Sequence, residues 1–161
     1  MPMALRKRPY ICGPLTELPK NKQLSIKMFY LCLGIICGKV TGQRAFIPHE
    51  YYDPMRHAKF TPKQVDRAER KQLSKRTSLL IVVALAPSWG GGIEVEIANR
   101  SRVPVIILCE RRKLGHGKIS RLLRGNPAVK RILTYRTRGE AYTALEHELE
   151  RIQQRKKKKT S

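Results

Sequence analysis

A chain of 161 residues is long enough for one domain with a real core, and 41% apolar residues exclude a disordered chain. Its 34 Lys and Arg against 12 Asp and Glu leave a formal net charge of +22, which implies a polyanionic partner or an anionic substrate and says nothing about fold. Cys12, Cys32, Cys37 and Cys109 lie in apolar contexts without C-x-x-C spacing, so buried free thiols in a reducing compartment are expected, without disulfide or metal.

Residues 1–8 form a basic N-terminal extension with no long apolar run after it, so no signal peptide is read there. The longest apolar run, Met28 to Cys37, is shorter than a bilayer span. A soluble cytoplasmic protein with no membrane association is expected. Pro9 to Cys12 reads as a short buried strand, stopped by Gly13-Pro14. Thr16, Glu17 and Leu18 then lie just beyond the strand's end, where ligands collect in open α/β sheets.

Lys22 to Gln43 reads as a helix with Leu24, Met28, Leu31 and Ile35 on an apolar face. Gly34, Gly38 and Gly42 recur every four residues and would form a flat seam, against the sheet or a second subunit. Arg44 to Pro48 reads as a second short strand. His49 to Phe60 reads as a loop rich in aromatic and polar groups; His49 and His57 lack partners at metal-ligand spacing and are expected to be solvated. Thr61 to Arg76 reads as a helix with Thr61 as N-cap and Pro62 at the first helical position. Its acids, Asp66 and Glu69, are either catalytic or partners for Lys63, Arg70 and Lys71 at helical spacings.

Leu79 to Ala86 is apolar throughout, as a parallel strand covered on both faces must be. Ser88-Trp89-Gly90-Gly91-Gly92 then opens a segment with Ile93, Ile97 and Ala98 at helical spacing, giving strand, glycine loop, helix. Glycines let the backbone approach a ligand closely, and a helix start favours an anion. Glu94 in that first turn suits a site that stabilises a developing sugar cation, although the helix dipole alone also favours a carboxylate there. Val103 to Cys109 is a further apolar strand, with Pro104 near its start. Gly115 to Gly117 makes a loop, Lys118 to Arg124 a short basic helix, Val129 to Tyr135 a last strand, and Arg138 to Gln154 the closing helix. The basic tail, 155–161, is expected to be disordered.

Strands alternating with helices give a single domain over 9–154. The expected fold is a three-layer α/β/α, flavodoxin- or Rossmann-like, with five mainly parallel strands in the order 2-1-3-4-5. The switch point would then bring Tyr10, Gly13, Ser88, Gly90 and Glu94 into one crevice.

Three motifs together resemble the nucleoside 2-deoxyribosyltransferase superfamily: Tyr10-Ile11-Cys12-Gly13-Pro14-Leu15, Ser88-x-Gly90-x-Gly92-x-Glu94 followed by Ala98, and Val103-Pro104-Val105-Ile106. Within it they look most like the 2'-deoxynucleoside 5'-phosphate N-hydrolases, with Ser120-x-x-x-Arg124-Gly125 resembling a segment carried across a dimer interface. The resemblance covers about residues 9 to 136. It implies Glu94 as the nucleophile on the anomeric carbon and Tyr10 as its positioning group. It implies Ser88, with the Gly90 and Gly92 backbone, at the sugar's 5'-phosphate or 5'-hydroxyl, and Ser120 as a phosphate contact from the partner in a homodimer; Gly13, in the same crevice, is expected to bind substrate. The family's aspartate before the central strand has no direct match. Spacing back from Ser88 puts Arg70 there, with Asp66 one turn earlier and Glu69 adjacent, and Asp66 is preferred. Pro14 and Thr16 stand where the phosphohydrolases have more direct phosphate ligands, and Pro14 is closer to the transferases.

The implied activity is cleavage of the N-glycosidic bond of a nucleoside 5'-monophosphate, deoxy or ribo, through a covalent glutamyl–sugar intermediate, without cofactor or metal. The surplus of Lys and Arg fits an anionic nucleotide better than a neutral nucleoside and leaves nucleic-acid association open. A transferase, or a non-catalytic nucleotide- or nucleic-acid-binding protein on the same fold, is the alternative.

Overall fold

The computed structural model describes residues 6–160. Four parallel strands, β1 (Arg8–Cys12), β2 (Thr77–Val83), β3 (Val105–Glu110) and β4 (Val129–Tyr135), form one sheet in the order β1-β2-β3-β4. Tyr10 pairs with Leu80, Ile81 with Ile106 and Ile107 with Ile132. The long helices are α1 (Lys20–Thr41), α3 (Pro62–Arg76), α4 (Trp89–Arg100) and α7 (Arg138–Thr160); α2 (His49–Tyr52), α5 (Arg111–Gly115) and α6 (Arg121–Arg124) are single turns.

The period-2 pleat sorts the apolar strand residues into two cores. Ile11, Ile81, Val83, Ile106 and Leu108 pack under α1 and α7. Tyr10, Cys12, Leu80, Val82, Ile107 and Cys109 pack under α3 and α4. That alternation aims the Tyr10 hydroxyl and the Cys12 thiol at α4.

The expected fifth strand is absent among the described residues. Arg44 to Pro48 makes a single bridge, Phe46 to Tyr10, on the open edge of β1. Ile11 donates to the Phe46 carbonyl at 2.9 Å, and Phe46 donates to Pro9 at 2.8 Å. Ala45 instead donates to the Gly34 carbonyl of α1, and Pro48 has no N–H to continue a ladder. The glycine seam explains that diversion. A Cβ on Gly34 would stand 3.0 Å from the Ile47 side chain, and one on Gly38 would stand 3.4 Å from Arg44 Cα. Gly42, at φ +74°, ends α1 in the left-handed conformation, its N–H donating to the Gly38 carbonyl.

Thr61 and Gln64 form a reciprocal capping box on α3, with Pro62 at the first helical position. The tail expected to be disordered continues α7 as helix to Thr160. Lys and Arg are good helix formers, so a basic run extends a helix already anchored by Leu145 and Leu149. Helix α1, with mean hydropathy 1.5, is long and apolar enough to cross a membrane; in the folded chain its Phe29, Tyr30, Leu33 and Cys37 face the core while Leu24, Met28 and Ile35 are exposed. Cys12, Cys37 and Cys109 are buried and Cys32 is half-buried, all as free thiols.

Candidate active site

Ser88 is the N-cap of α4, its Oγ accepting from the Gly91 N–H at 3.2 Å. The three glycines therefore lie inside the first turn of a helix and not in a loop before it. One turn on, Glu94 turns back toward β1. Its Oε1 accepts from the Tyr10 hydroxyl at 2.5 Å and its Oε2 from the Cys12 thiol at 2.7 Å. Both donors come from alternate positions of one strand and grip both carboxylate oxygens.

Burial pushes the Glu94 carboxyl up, and the bonds from Cys12 and Tyr10 oppose that by stabilising the anion. Tyr10 and Cys12 are themselves held well above their ordinary values, first by burial and then by the Glu94 charge, so both remain protonated donors. Glu69 on α3 faces the same space. Burial, then the Glu94 charge, then Asp66 push its carboxyl up to about 7. Two carboxylates therefore sit in unlike environments, one gripped as an acceptor and one inclined to hold a proton near neutrality.

A cavity of about 200 Å³ lies at the carboxyl ends of β1 and β2, lined by Gly13, Glu17, Glu69, Ser88, Gly90 and Glu94 among others. A wider depression of about 550 Å³ opens beside it between α3, α4 and the 52–60 segment, sharing Tyr52, Glu69, Gly90 and Glu94. No Lys or Arg lines the smaller cavity. Asp53 at its wall is buried and bonded to Lys27 of α1. Gly13 is crowded: a Cβ there would stand 2.3 Å from the Tyr30 hydroxyl, which donates to the Pro14 carbonyl at 2.6 Å.

Of the residues singled out in the sequence, Tyr10 and Glu94 are bonded, and Gly13, Ser88 and Gly90 line the cavity with Glu94. Gly92 faces outward in α4, with nothing within 4 Å of a Cβ. Asp66 is exposed, bonded through both oxygens to Arg70 Nε, and lines only the wider depression. Glu69, three residues further along α3, lines both spaces. Ser120 caps α6 through the Leu123 N–H at 3.5 Å and lines neither space. His49 lines the cavity, where burial lowers its pKa, and does not stand as a solvated loop histidine. Cys12 as a second donor was not read from the sequence, although the strand period offers it two residues from Tyr10. Glu17 lies in the loop expected to meet ligands, but its bond from Ser88 Oγ at 3.3 Å depends on a long-range fold contact.

No protein-family model matches the chain, and no curated protein matches it. Solved structures do. The CMP N-glycosidase BcmB of Clostridium botulinum superposes with a TM-score of 0.55 at 15% identity, over 86% of this chain and 98% of that one. The solution structure of BlsM gives 0.61 at 16% identity, over 92% and 93%. A conserved protein of Enterococcus faecalis V583 gives 0.56 at 14% identity, over 89% and 99%. At such identities the likeness is one of fold, and it runs through nearly the whole of each chain.

Proposed function

We propose that the protein cleaves the N-glycosidic bond of a nucleoside or nucleoside 5'-monophosphate, with Glu94 as nucleophile and Glu69 as proton donor. The observation that carries this reading is the Glu94 carboxylate, gripped by Tyr10 and Cys12 and facing a second carboxyl pushed up to about 7. The fold shared with a CMP N-glycosidase supports the reaction class.

A Glu94 oxygen attacks the anomeric carbon as the carbon–nitrogen bond breaks. The bond's electron pair goes to the base, and Glu69 delivers a proton to it. The glutamyl–sugar ester is then opened by water, whose proton returns to Glu69; a second base in place of water gives transfer. Tyr10 and Cys12 hold the carboxylate in line and release it at the second step. Glu69 takes the acid role in preference to Asp66, which is engaged by Arg70 outside the cavity. The homodimer and the Ser120 contact remain part of this proposal; Ser120 lines neither space of its own chain, so its part would come from a second chain.

The test is chromatographic detection of free base from deoxy- and ribonucleosides and their 5'-monophosphates. Base release by the native protein and none by Glu94→Ala is expected. Equal release by both would remove Glu94 from the nucleophile role. No release from any substrate would leave a binding protein on this fold.

A further inference from the structure

Ser88, the residue that the resemblance puts at the sugar's 5' end, has a specific neighbour. Glu17 lies in the loop after β1, and its Oε1 accepts from Ser88 Oγ at 3.3 Å. Its Oε2 accepts from the Leu15 N–H at 3.0 Å and from Thr16 Oγ1 at 3.5 Å. These hydroxyls are donors a 5'-phosphate would need, and a carboxylate already holds them. Glu17, Asp53, Glu69 and Glu94 all line this cavity, no Lys or Arg does, and Lys27 is taken by Asp53. His49 is biased toward its neutral form by burial. A phosphate dianion entering here would meet the Glu17 and Glu94 carboxylates with no Lys or Arg in the lining to face it, Asp53 being paired with Lys27 and Glu69 inclined to hold its proton. A 5'-hydroxyl meets no such penalty: it can insert between the two, donating to Glu17 and accepting the Ser88 proton in place of the Ser88–Glu17 bond.

We infer that Glu17 is a specificity residue and that the substrate is a neutral nucleoside with a free 5'-hydroxyl, a class opposite to the anionic nucleotide that net charge suggests. The inference rests on the N-glycosidic reading of the Glu94 site.

The test measures kcat/KM for base release from the four common 2'-deoxynucleosides, the four ribonucleosides and all their 5'-monophosphates, with native protein and Glu17→Gln. Native protein is expected to favour nucleosides by about 100-fold or more, the scale of an unrelieved like-charge contact. Glu17→Gln is expected to narrow that ratio at least tenfold, chiefly through KM for the monophosphates. Preference for monophosphates in the native protein would overturn the assignment while leaving the N-glycosidase reading intact. So would a Glu17→Gln ratio unchanged from native. Release from neither class would sink the N-glycosidase reading itself; calorimetric binding of the same ligands then decides the 5' preference, and tighter binding of monophosphates would overturn it.

One group of positive charges lies at the opposite end of the sheet. A groove of about 420 Å³ at the N-terminal ends of the strands is lined by Arg6, Lys7, Lys130, Arg151, Arg155 and Lys156. Its one acid, Glu148, is neutralised by Arg151 and Arg131. Arg6, Lys7 and Lys156 have no ion-pair partner among the described residues. No aromatic side chain lines the groove, so a base-stacking platform is missing. We propose that it follows the phosphodiester backbone of a nucleic acid duplex through charge alone.

Fluorescence anisotropy with a 20-base-pair DNA duplex, its RNA counterpart and the single strands tests this. Duplex binding that weakens steeply with salt is expected, with at least tenfold loss in Lys7→Glu/Lys156→Glu and no change in base release. Absence of duplex binding at 50 mM salt, single strands bound more tightly, or full affinity in the double variant would each overturn it. Affinity for anionic vesicles exceeding that for duplex would do the same.

Discussion

Replacing Glu69 by Gln separates its catalytic part from its electrostatic cost. The folded protein raises this carboxyl from 4.5 to about 7, so the folded state holds the proton more tightly than the unfolded chain does. The stability tied to that proton is fully present below about pH 4.5 and is lost as pH rises through about 7. At about 1.4 kcal/mol per pH unit, the full shift would cost about 3 kcal/mol at pH 8. Cavity water beside the half-buried carboxyl screens part of this, and about half that value is expected. Glu69→Gln carries no charge at any pH. Its thermal midpoint should match the native protein near pH 4.5 and exceed it at pH 8 by roughly 3–6 °C for a chain of this size. Base release should move the other way, falling about 10²- to 10⁴-fold with the loss of the proton donor. The native kcat/KM profile should fall on its alkaline side with a midpoint near 7. A variant that keeps the native rate and the alkaline limb would refute Glu69 as the acid. A midpoint difference that does not grow between pH 4.5 and pH 8 would refute the raised carboxyl.

Tyr10→Phe keeps the ring against Phe46, at 5.1 Å between centroids, but removes the donor to Glu94 Oε1. A bond to a charged group is worth about 1.5–3 kcal/mol, so kcat should drop roughly 10- to 150-fold with little change in thermal midpoint. Asp66→Asn breaks only an exposed pair with Arg70, so activity should stay within about threefold and stability within about 0.5 kcal/mol; a large loss of kcat would return Asp66 to the acid role. Gly13→Ala forces a methyl into the Tyr30 ring held by Pro14, and denaturant titration should show about 1–3 kcal/mol of destabilisation.

Much of the architecture is legible because it rests on local rules. The apolar runs that became β2 and β3 are buried on both faces, β4 is the half-exposed edge strand with Lys130 and Arg131 outward, and Thr61-Pro62 starts α3 through a capping box. The missing strand at Arg44 to Pro48 was not legible. Its residues have strand character, but the flat glycine face of α1 draws Ala45 and Ile47 onto a helix, a contact that periodicity does not carry. Leu24, Met28 and Ile35 show the same limit: both sides of α1 are apolar, and only packing selects the side with Phe29 and Leu33 as core. At the site, Tyr10, Ser88 and Glu94 were readable from motif spacing. The choice between Asp66 and Glu69 depends on three residues of helical rotation, 300°, which aims one at the cavity and the other at Arg70. Glu17 meets Ser88 only across 71 residues of chain.

The covalent intermediate is the central claim, and mass spectrometry tests it directly. Native protein and Glu94→Ala are acid-quenched during turnover of a nucleoside that releases base, then digested with protease. A sugar adduct on the peptide carrying Glu94, formed and lost at rates matching turnover and absent from the variant, is the predicted result. Base release with no adduct at Glu94, persisting in Glu94→Ala, would contradict the account.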